Sequence, residues 1–412
     1  MKSRREQFLF FSMMAMMAAL FVSRAMLSVC MMLFVVLSFF HKDIKAHFRH
    51  FFSSPLLWGM SLLFVLPLVS GLWSTDKQQW LYVLQPKLAL LFLPLAFAGP
   101  FSFTRKHWEL LAYFFIALVT AGTIWSMLQY IMDLQAVNQS YLQAKSIITP
   151  LKNDRVRFSW LVAVAVLLSG KIGWDSFIER KSIKWLWLVI ILWLLIFLHV
   201  LAMRTGLISL YIIMAATACW LLIKKIKWKY AVVILLLLPV LPYMAYRLLP
   251  SFHNRINYFI YDYSYFKKME YLPGGNDAVR VISLNAGWDI LNKNPIAGVG
   301  AGDVLSATKE WYEVHYPQVR QTDIIYPSSE WLLYGDACGW PGFLLFTCIM
   351  CIPFFVVRKY KLVWITLNLI AAFSLLFDVG LEVQFGVFIY SFIVLWWWKW
   401  LAPQNKIIAS YD

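Results

Sequence analysis

The apolar run WLWLVIILWLLIFLHVLA (Trp185–Ala202) is followed, after Met203 and Arg204, by a second run, TGLISLYIIMAATACWLLI (Thr205–Ile223). Neither run contains Lys, Arg, Asp or Glu. Each is close to the roughly 20 apolar residues that an α-helix needs to cross the hydrocarbon core of a bilayer. The pair predicts two membrane helices joined by a tight turn. The predicted fold class is therefore an all-α polytopic membrane protein.

The composition of the whole chain agrees with this class. Of its 412 residues, 61% are hydrophobic and only 14% are charged, whereas soluble domains are about half apolar and a quarter charged. The formal net charge is +16, but most Lys and Arg residues lie in short clusters between apolar runs, as expected for cytoplasmic loops. No basic patch with interleaved aromatic residues is attached to a soluble module, so the expected partners are membrane lipids and not nucleic acid.

The apolar runs predict about twelve membrane spans. In chain order they are Phe8–Val22, Ala25–Phe40, Leu56–Leu72, Leu81–Ala98, Trp108–Met132, Phe158–Leu168, Trp185–Ala202, Thr205–Ile223, Tyr230–Leu248, Trp331–Val357, Leu362–Phe377 and Phe385–Leu401. The sixth span is short, so we expect it either to tilt or to extend through Lys171. The five cysteines all fall within predicted spans, and no disulfide framework is expected.

The charges of the loops predict the orientation. If the N-terminus is cytoplasmic, every inside loop carries basic residues, while short outside loops such as 74–79 and 378–383 carry few. Both termini are then cytoplasmic and the one long hydrophilic segment is extracytoplasmic. We expect nine spans with short loops in residues 1–248, an extracytoplasmic loop in 249–330, and three spans with a cytoplasmic tail in 331–412.

The long loop contains one predicted helix, Asn276–Asn292, whose apolar residues recur at helical spacing and which ends before Pro295. Either Asn276 or Asp277 can cap it. Arg280 lies in its first turn, where the helix dipole does not favour a cation. Either of two roles fits that position: binding of an anion, or that of a solvated surface residue.

Three glycines follow this helix, Gly298, Gly300 and Gly302. A dinucleotide fingerprint needs a preceding strand and a following helix, but a helix and a proline precede these glycines. A glycine turn also allows backbone amides to approach an anion, or two elements to pack closely. Close packing is the favoured interpretation.

Four features occur in a fixed order late in the chain. They are Arg204-Thr205-Gly206 at the start of a membrane helix; Arg280 followed by Trp288, Asn294-Pro295 and Gly298-Val299-Gly300; a large extracytoplasmic loop late among the spans; and Ser328-Ser329, nine residues, then Gly339-Trp340-Pro341-Gly342.

This series resembles the O-antigen ligase and polymerase superfamily of bacterial membrane glycosyltransferases. That family has a short Arg-Ser/Thr-Gly turn, an Arg…Trp…Pro-x-x-Gly-x-Gly run and, in its ligases, a closing motif. The closing motif reads His, then Asn, Ser or Gln, nine residues and Gly-x-x-Gly. The chain departs from this pattern at Ser328, which stands where the ligases have a histidine often taken as the catalytic base.

The resemblance implies transfer of a glycan from an undecaprenyl-pyrophosphate carrier to an acceptor hydroxyl, on the periplasmic face of a bacterial inner membrane. It implies no cofactor, and no metal site is expected because the loop has no ligand pair at suitable spacing. The closing motif favours a ligase with a lipid A core acceptor, in lipopolysaccharide biosynthesis. Polysaccharide polymerase, protein O-oligosaccharyltransferase and, in another class, a lipid-linked saccharide transporter or flippase are the alternatives.

The implied site must hold a pyrophosphate, a task that suits the planar, permanently charged fork of arginine. The leading candidates are Arg204, at the membrane interface, and Arg280. Lys87, Arg155 and Arg157 are further candidates, although Lys87 can also snorkel to the interface and the two arginines can be solvated loop charges.

The general base is open, because a serine hydroxyl such as that of Ser328 needs an activator of its own. His315 has a suitable ordinary pKa, and Glu330 lies two positions after Ser328 at the membrane surface. These two residues remain equal candidates. Asp336 is expected to be mainly structural, and Ser328 to orient the acceptor.

Overall fold

The computed structural model describes residues 4–101, 103–143, 145–179, 183–224, 228–267, 277–356 and 360–401. Within these ranges the chain forms helices and turns and no β-strand. The all-α polytopic fold class is confirmed.

Eighteen α-helices are described. Those before the long loop are α1 Arg4–Val22, α2 Arg24–Phe39, α3 Ile44–Ser53, α4 Pro55–Ser70, α5 Lys77–Ala98, α6 Arg105–Met132, α7 Leu134–Ser140, α8 Pro150–Asn153, α9 Arg155–Ile178, α10 Lys184–Leu201, α11 Arg204–Ile223 and α12 Trp228–Leu248. Those that follow are α13 Pro250–Lys267, α14 Asp277–Lys293, α15 Val304–His315, α16 Glu330–Val356, α17 Lys361–Leu376 and α18 Gln384–Leu401.

Each predicted span coincides with one of these helices, and the sixth extends through Lys171 as α9. By length and composition, however, eight of the described helices can cross a membrane, or nine if the bent pair α2 and α3 counts as one span. Helices α4 and α17 have 16 residues each, and at 1.5 Å per residue each is about 24 Å long, less than the roughly 30 Å hydrocarbon core. The number twelve stays a prediction, as does the division at 248 and 330.

Helix α18 is the centre of the bundle. Its residues from Phe385 to Lys399 are all buried, and it packs against α5, α9 and α17. The short connection from α17 to α18, residues 377–383, leads directly into this buried helix, and we call it the 377–383 loop.

The long hydrophilic segment is mostly helical. The helix predicted over Asn276–Asn292 is observed as α14, Asp277–Lys293, while Asn276 lies outside the described residues. The amide of Asp277 donates to the carboxylate of Asp262 on α13 at 2.6 Å, so a neighbouring helix supplies the cap that the sequence leaves to local residues.

Helix α16 is broken at Gly339, where φ is +69°. The break leaves carbonyl groups at the end of its first half without helical donors. Residues 298–302, which we call the glycine turn, provide these donors. The amide of Val299 donates to the carbonyl of Asp336 at 2.7 Å, and that of Gly300 donates to the carbonyl of Ala337 at 3.1 Å. In return the amide of Trp340 donates to Pro295 at 2.8 Å.

The same turn is fixed to the connection between α4 and α5. The amides of Ala301 and Gly302 donate to the hydroxyls of Ser70 and Ser74, and the carboxylate of Asp303 accepts from the amides of residues 75 and 76. The glycines are thus used for close packing, as favoured from the sequence.

Gly298→Ala is expected to destabilise the fold. A Cβ at this residue would lie 2.3 Å from the carbonyl oxygen of Asp336, and its φ is +67°. The strained backbone alone costs about 1–3 kcal/mol, and the contact with backbone adds to it. Heating detergent-solubilised protein and measuring the fraction that remains monodisperse on size-exclusion chromatography tests this.

Gly170→Ala is the matched control, because a Cβ there meets no atom within 4 Å. Equal thermal stability of the Gly298 and Gly170 variants would contradict the packing role of the turn.

Candidate active site

The 377–383 loop binds two of the predicted arginines through consecutive residues. Arg157 Nη2, from the first turn of α9, lies 2.9 Å from Asp378 Oδ2 and donates to the carbonyl of Val379 at 3.0 Å. Arg280 Nη1, from the first turn of α14, donates to the carbonyl of Phe377 at 3.4 Å. Residues far apart in sequence are therefore brought to one point of the bundle.

The two guanidinium groups differ in how many hydrogen-bond and ion-pair partners they have. Arg157 is mostly buried and also lies 3.6 Å from Asp154 Oδ1. Arg280 is partly exposed, and among the described residues the single long bond to Phe377 is the only hydrogen bond of its side chain. Arg280 is thus the cation of this pair with donors to spare for a ligand.

Asp378 is the counter-charge of this region. Burial raises the pKa of its carboxyl above the ordinary value, and the positive charges of Arg157 and Arg280 oppose that shift. An anion bound beside Arg280 would enter a region in which a single buried carboxylate already faces two guanidinium groups.

The other end of the loop binds Lys87 and Glu330. Lys87 on α5 is 1% exposed; its ammonium group pairs with Glu382 and donates to the carbonyl of Leu381 at 3.2 Å. Glu330, the first residue of α16, is fully buried and its Oε1 accepts from the amide of Leu381 at 2.5 Å. Its Oε2 has no hydrogen-bond partner within the described part of the chain.

Ser328 is linked to Arg280 through Ser283, one turn further along α14. The Ser283 hydroxyl oxygen lies 2.8 Å from the carbonyl of Arg280 and 2.9 Å from Ser328 Oγ, and it accepts from the amide of Ser328 at 3.2 Å. Among the described residues, the Ser328 hydroxyl thus has another serine as its hydrogen-bond partner rather than a base that would activate it.

A second cationic group also contacts the first turn of α14. Arg204, at the start of α11, pairs with Asp277 and covers the ring of Phe259, with its guanidinium carbon 4.7 Å from the ring centroid. Arg255 on α13 is buried nearby. Its burial lowers the pKa of the guanidinium, an effect that the charge of Asp277 opposes and that of Arg204 increases.

Arg155 belongs to this second group through Tyr141, which interacts electrostatically with both Arg155 and Arg255. The turn before Arg155 has a strained backbone: Leu151, Lys152 and Asn153 all have φ between 54° and 65°, a region that residues other than glycine rarely adopt. Such strain is retained where the surrounding structure fixes it, often at functional sites.

Asp277 and Arg280 are three residues apart on α14 and share a face. The two cationic groups are therefore neighbours: Arg204 pairs with Asp277, and Arg280 binds the same loop as Arg157. Helices α9, α11, α14 and α16 all contribute their N-terminal turns to this region. Helix N-termini carry partial positive charge and present unpaired amides, which favours anions.

His315 lies apart from this region. It is the last residue of α15, its Nδ1 is 2.9 Å from the carbonyl of Trp311, and its ring stacks on Trp311 with centroids 4.3 Å apart. Together they line a pocket with Asp289 on α14, which is nine residues and hence about 180° around the helix from Arg280. The structure does not bring His315 to the arginines.

Asp336 is fully buried, and neither of its carboxylate oxygens has a hydrogen-bond partner in the described ranges. Its carbonyl receives the glycine turn, in keeping with a structural role. Among the described residues, no three His, Cys, Asp or Glu side chains are grouped as metal ligands would be.

The sequence did not identify Asp378, Glu382 and Asp277 as partners of the predicted cations, nor Arg255 as a further cation of the second group. For Asp378 and Glu382 a signal was present, since two carboxylates in one short loop between apolar spans need counter-charges. The sequence carries no comparable signal for Arg255, which is one of several polar residues on α13.

The fold and this region define a multi-pass, all-α membrane protein with a cationic site where helix N-termini converge. Residues 187–347 match the family model described as O-antigen ligase. This match confirms the resemblance to the O-antigen ligase superfamily, and it supports a membrane glycosyltransferase of the ligase and polymerase kind. The match includes Arg204, Arg255, Arg280, His315, Ser328 and Glu330, whereas Lys87, Arg155, Arg157 and the 377–383 loop lie outside it. No curated protein matches the chain.

Lys87→Met is expected to lower the free energy of unfolding by about 3–5 kcal/mol, because it leaves Glu382 without its partner in a buried setting beside Glu330. The double variant Lys87→Met/Glu382→Gln removes both charges and is expected to recover most of this loss. Thermal denaturation of the solubilised protein provides the comparison.

Arg105→Gln serves as the exposed-pair control, because Arg105 is 63% exposed in its pair with Glu109 and such pairs contribute roughly 0–1 kcal/mol. A double variant no more stable than Lys87→Met would contradict the pairing of Lys87 with Glu382.

Proposed function

We propose that the protein transfers a glycan from an undecaprenyl-pyrophosphate carrier to an acceptor hydroxyl on the periplasmic face of the bacterial inner membrane. It has both termini in the cytoplasm and acts as an O-antigen ligase with lipid A core as acceptor. The reaction is metal-independent and needs no cofactor, since the pyrophosphate is already a good leaving group.

The observation that carries this proposal is the position of Arg280. Its guanidinium is partly exposed and has a single long hydrogen bond among the described residues. It binds the same loop as Arg157 and shares the first turn of α14 with Asp277, the partner of Arg204, where several helix N-termini meet. A doubly charged pyrophosphate suits such a region, because arginine forks bind its oxygens in pairs and keep their charge.

In the proposed reaction the acceptor oxygen forms a bond to the anomeric carbon of the donor sugar. The bond from that carbon to the pyrophosphate oxygen breaks, and the electron pair leaves with the pyrophosphate. Arg280 and Arg204 bind this growing negative charge, with Arg155 and Arg157 adding to the positive potential. Lys87, which is buried against Glu382, contributes by holding the 377–383 loop in place.

We assign the base to Glu330 in preference to His315. Glu330, at the start of α16, accepts a hydrogen bond from the 377–383 loop that also binds Arg157 and Arg280, and one of its carboxylate oxygens has no partner in the described ranges. The acceptor proton passes to this carboxylate in the proposed step, while Ser328, two residues earlier, orients the acceptor. His315 lies on the opposite face of α14.

Arg280→Ala is expected to lower the transfer rate by about 10²–10³-fold, the usual loss when one donor to a developing anion is removed. Arg280→Lys keeps the charge without the fork and is expected to recover part of the rate. The assay follows transfer from a lipid-linked glycan by enzyme reconstituted in liposomes, and Arg204→Ala is expected to lower the rate by a similar factor.

Arg320→Ala is the matched control for these variants, because Arg320 is an exposed arginine of the same long segment and is expected to be dispensable. Wild-type rates in both Arg280→Ala and Arg204→Ala would rule out the cationic clamp.

Glu330→Gln is expected to lower kcat by about 10²-fold or more, the usual contribution of a general base, while His315→Ala retains most of kcat. The amide of glutamine can still accept from Leu381, so the fold is expected to survive. The pH dependence of kcat distinguishes them further: its lower limb should disappear in Glu330→Gln.

The opposite ranking, with His315→Ala as the inactive variant, would move the base to α15. Reconstitution with lipid A core, with a second lipid-linked glycan and with a protein as acceptors tests the ligase assignment. Glycan uptake into liposomes without transfer to any acceptor would instead favour a transporter.

A further inference from the structure

A pocket of about 310 Å³ lies between α14 and α15, away from the arginines. It is lined by Asn285, Trp288, Asp289, Trp311, His315 and Tyr316. Its volume is at the lower end of the roughly 300–1,000 Å³ of small-molecule sites. None of the cationic residues in the proposed transfer site reaches it.

The walls of the pocket are aromatic. Trp288 is 49% exposed and is held edge-on against Trp340, with ring centroids 5.8 Å apart, next to the break in α16. Trp311 is fixed from both sides: its Nε1 donates to Asp289 Oδ2 at 2.8 Å and its ring stacks with His315. These rings are therefore held in place before any ligand binds.

The polar groups that line the pocket include a carboxylate, an amide and an imidazole ring. Asp289 has a second carboxylate oxygen besides the one that binds Trp311, and Asn285 is exposed at the rim. A carbonyl only accepts hydrogen bonds, so His315 Nδ1 donates to Trp311, and Nε2 of the neutral ring is an acceptor. The described lining has a carboxylate and no Lys or Arg, which disfavours a phosphate.

We propose that this pocket is a carbohydrate-binding subsite that holds a sugar unit of a glycan at a distance from the reacting bond. A pyranose has apolar C–H faces that stack on aromatic rings and a rim of hydroxyl groups that donate to carboxylate and imidazole acceptors. Rigid aromatic walls with a few convergent polar groups match that chemistry.

The distance of the pocket from Arg280 indicates which unit along the glycan it would hold. Trp288 is eight residues after Arg280 on α14 and so about 12 Å further along the helix axis. That separation corresponds to a short oligosaccharide rather than to the ring that is being transferred. This inference rests on the proposed function, since a glycan must have its pyrophosphate or its acceptor hydroxyl at the arginines.

The first test is the binding of free oligosaccharide to the full-length protein in lipid nanodiscs. The probe is the oligosaccharide released by mild acid from the lipid-linked glycan of the native host, followed by saturation-transfer NMR and calorimetry. Trp288→Ala is expected to weaken its binding about tenfold, the loss of one aromatic stacking contact, and Asn285→Ala several-fold.

Val314→Ala is the matched control, since Val314 is adjacent to His315 on α15, 76% exposed and outside the pocket lining. It is expected to bind the oligosaccharide like the unmodified protein. Unchanged binding in both Trp288→Ala and Asn285→Ala would overturn the subsite, as would equal weakening in Val314→Ala.

Kinetics of the same variants identify the source of the sugar and separate the two proposals. Trp288→Ala is expected to raise KM for the substrate whose glycan occupies the pocket, whether donor or acceptor, more than it lowers kcat. Transfer with an unchanged KM for both substrates would overturn the subsite and leave the proposed function standing. If the unmodified protein binds the oligosaccharide but never catalyses transfer, and Trp288→Ala loses that binding, the subsite is supported and the proposed function is overturned.

Discussion

The ion pair between Arg157 and Asp378 is the interaction on which the rest of the site depends. It joins α9 to the 377–383 loop. Backbone carbonyls of the same loop accept hydrogen bonds from Arg280 and Lys87, Glu382 pairs with Lys87, and a backbone amide of the loop donates to Glu330. Charges at the edge of a membrane bundle are costly unless paired, and breaking a buried pair costs about 3–5 kcal/mol. The loop therefore neutralises most of the cations around it while leaving the guanidinium of Arg280 partly available. An anion-binding site requires this combination of neighbouring charges that are already paired and one guanidinium that still has hydrogen-bond donors for a ligand.

Backbone packing couples this site to the membrane scaffold. The glycine turn donates to the carbonyls that the break at Gly339 leaves in α16, and it is held to the connection between α4 and α5 by Asp303. Because Glu330 begins α16, the hydrogen bonds between the turn and the first half of α16 also hold the helix that carries this carboxylate. Helix α14 then separates two different environments: a cationic face with Arg280, and an aromatic face with Trp288 and Asp289.

Much of the fold follows from the sequence because hydrophobic runs of bilayer length leave few alternatives. The helices that correspond to the predicted spans lie where the apolar runs predict them, and α14 ends within one residue of the end that Pro295 predicts. The number of spans does not follow, because α4 and α17 are apolar but only about 24 Å long. The site was predictable as a set of cations but not as a geometry. Arg157 and Arg280 meet at the 377–383 loop through tertiary packing, which leaves no mark in local sequence, and the same packing separates His315 from them.

The most direct measurement is a structure of the protein in nanodiscs with undecaprenyl pyrophosphate bound. We expect pyrophosphate density in contact with the Arg280 guanidinium, between Arg204 and Arg157, with the 377–383 loop beside it. Pyrophosphate bound in the pocket around Trp311 and His315, or anywhere out of contact with Arg280, would contradict the assignment of the arginines as the pyrophosphate site.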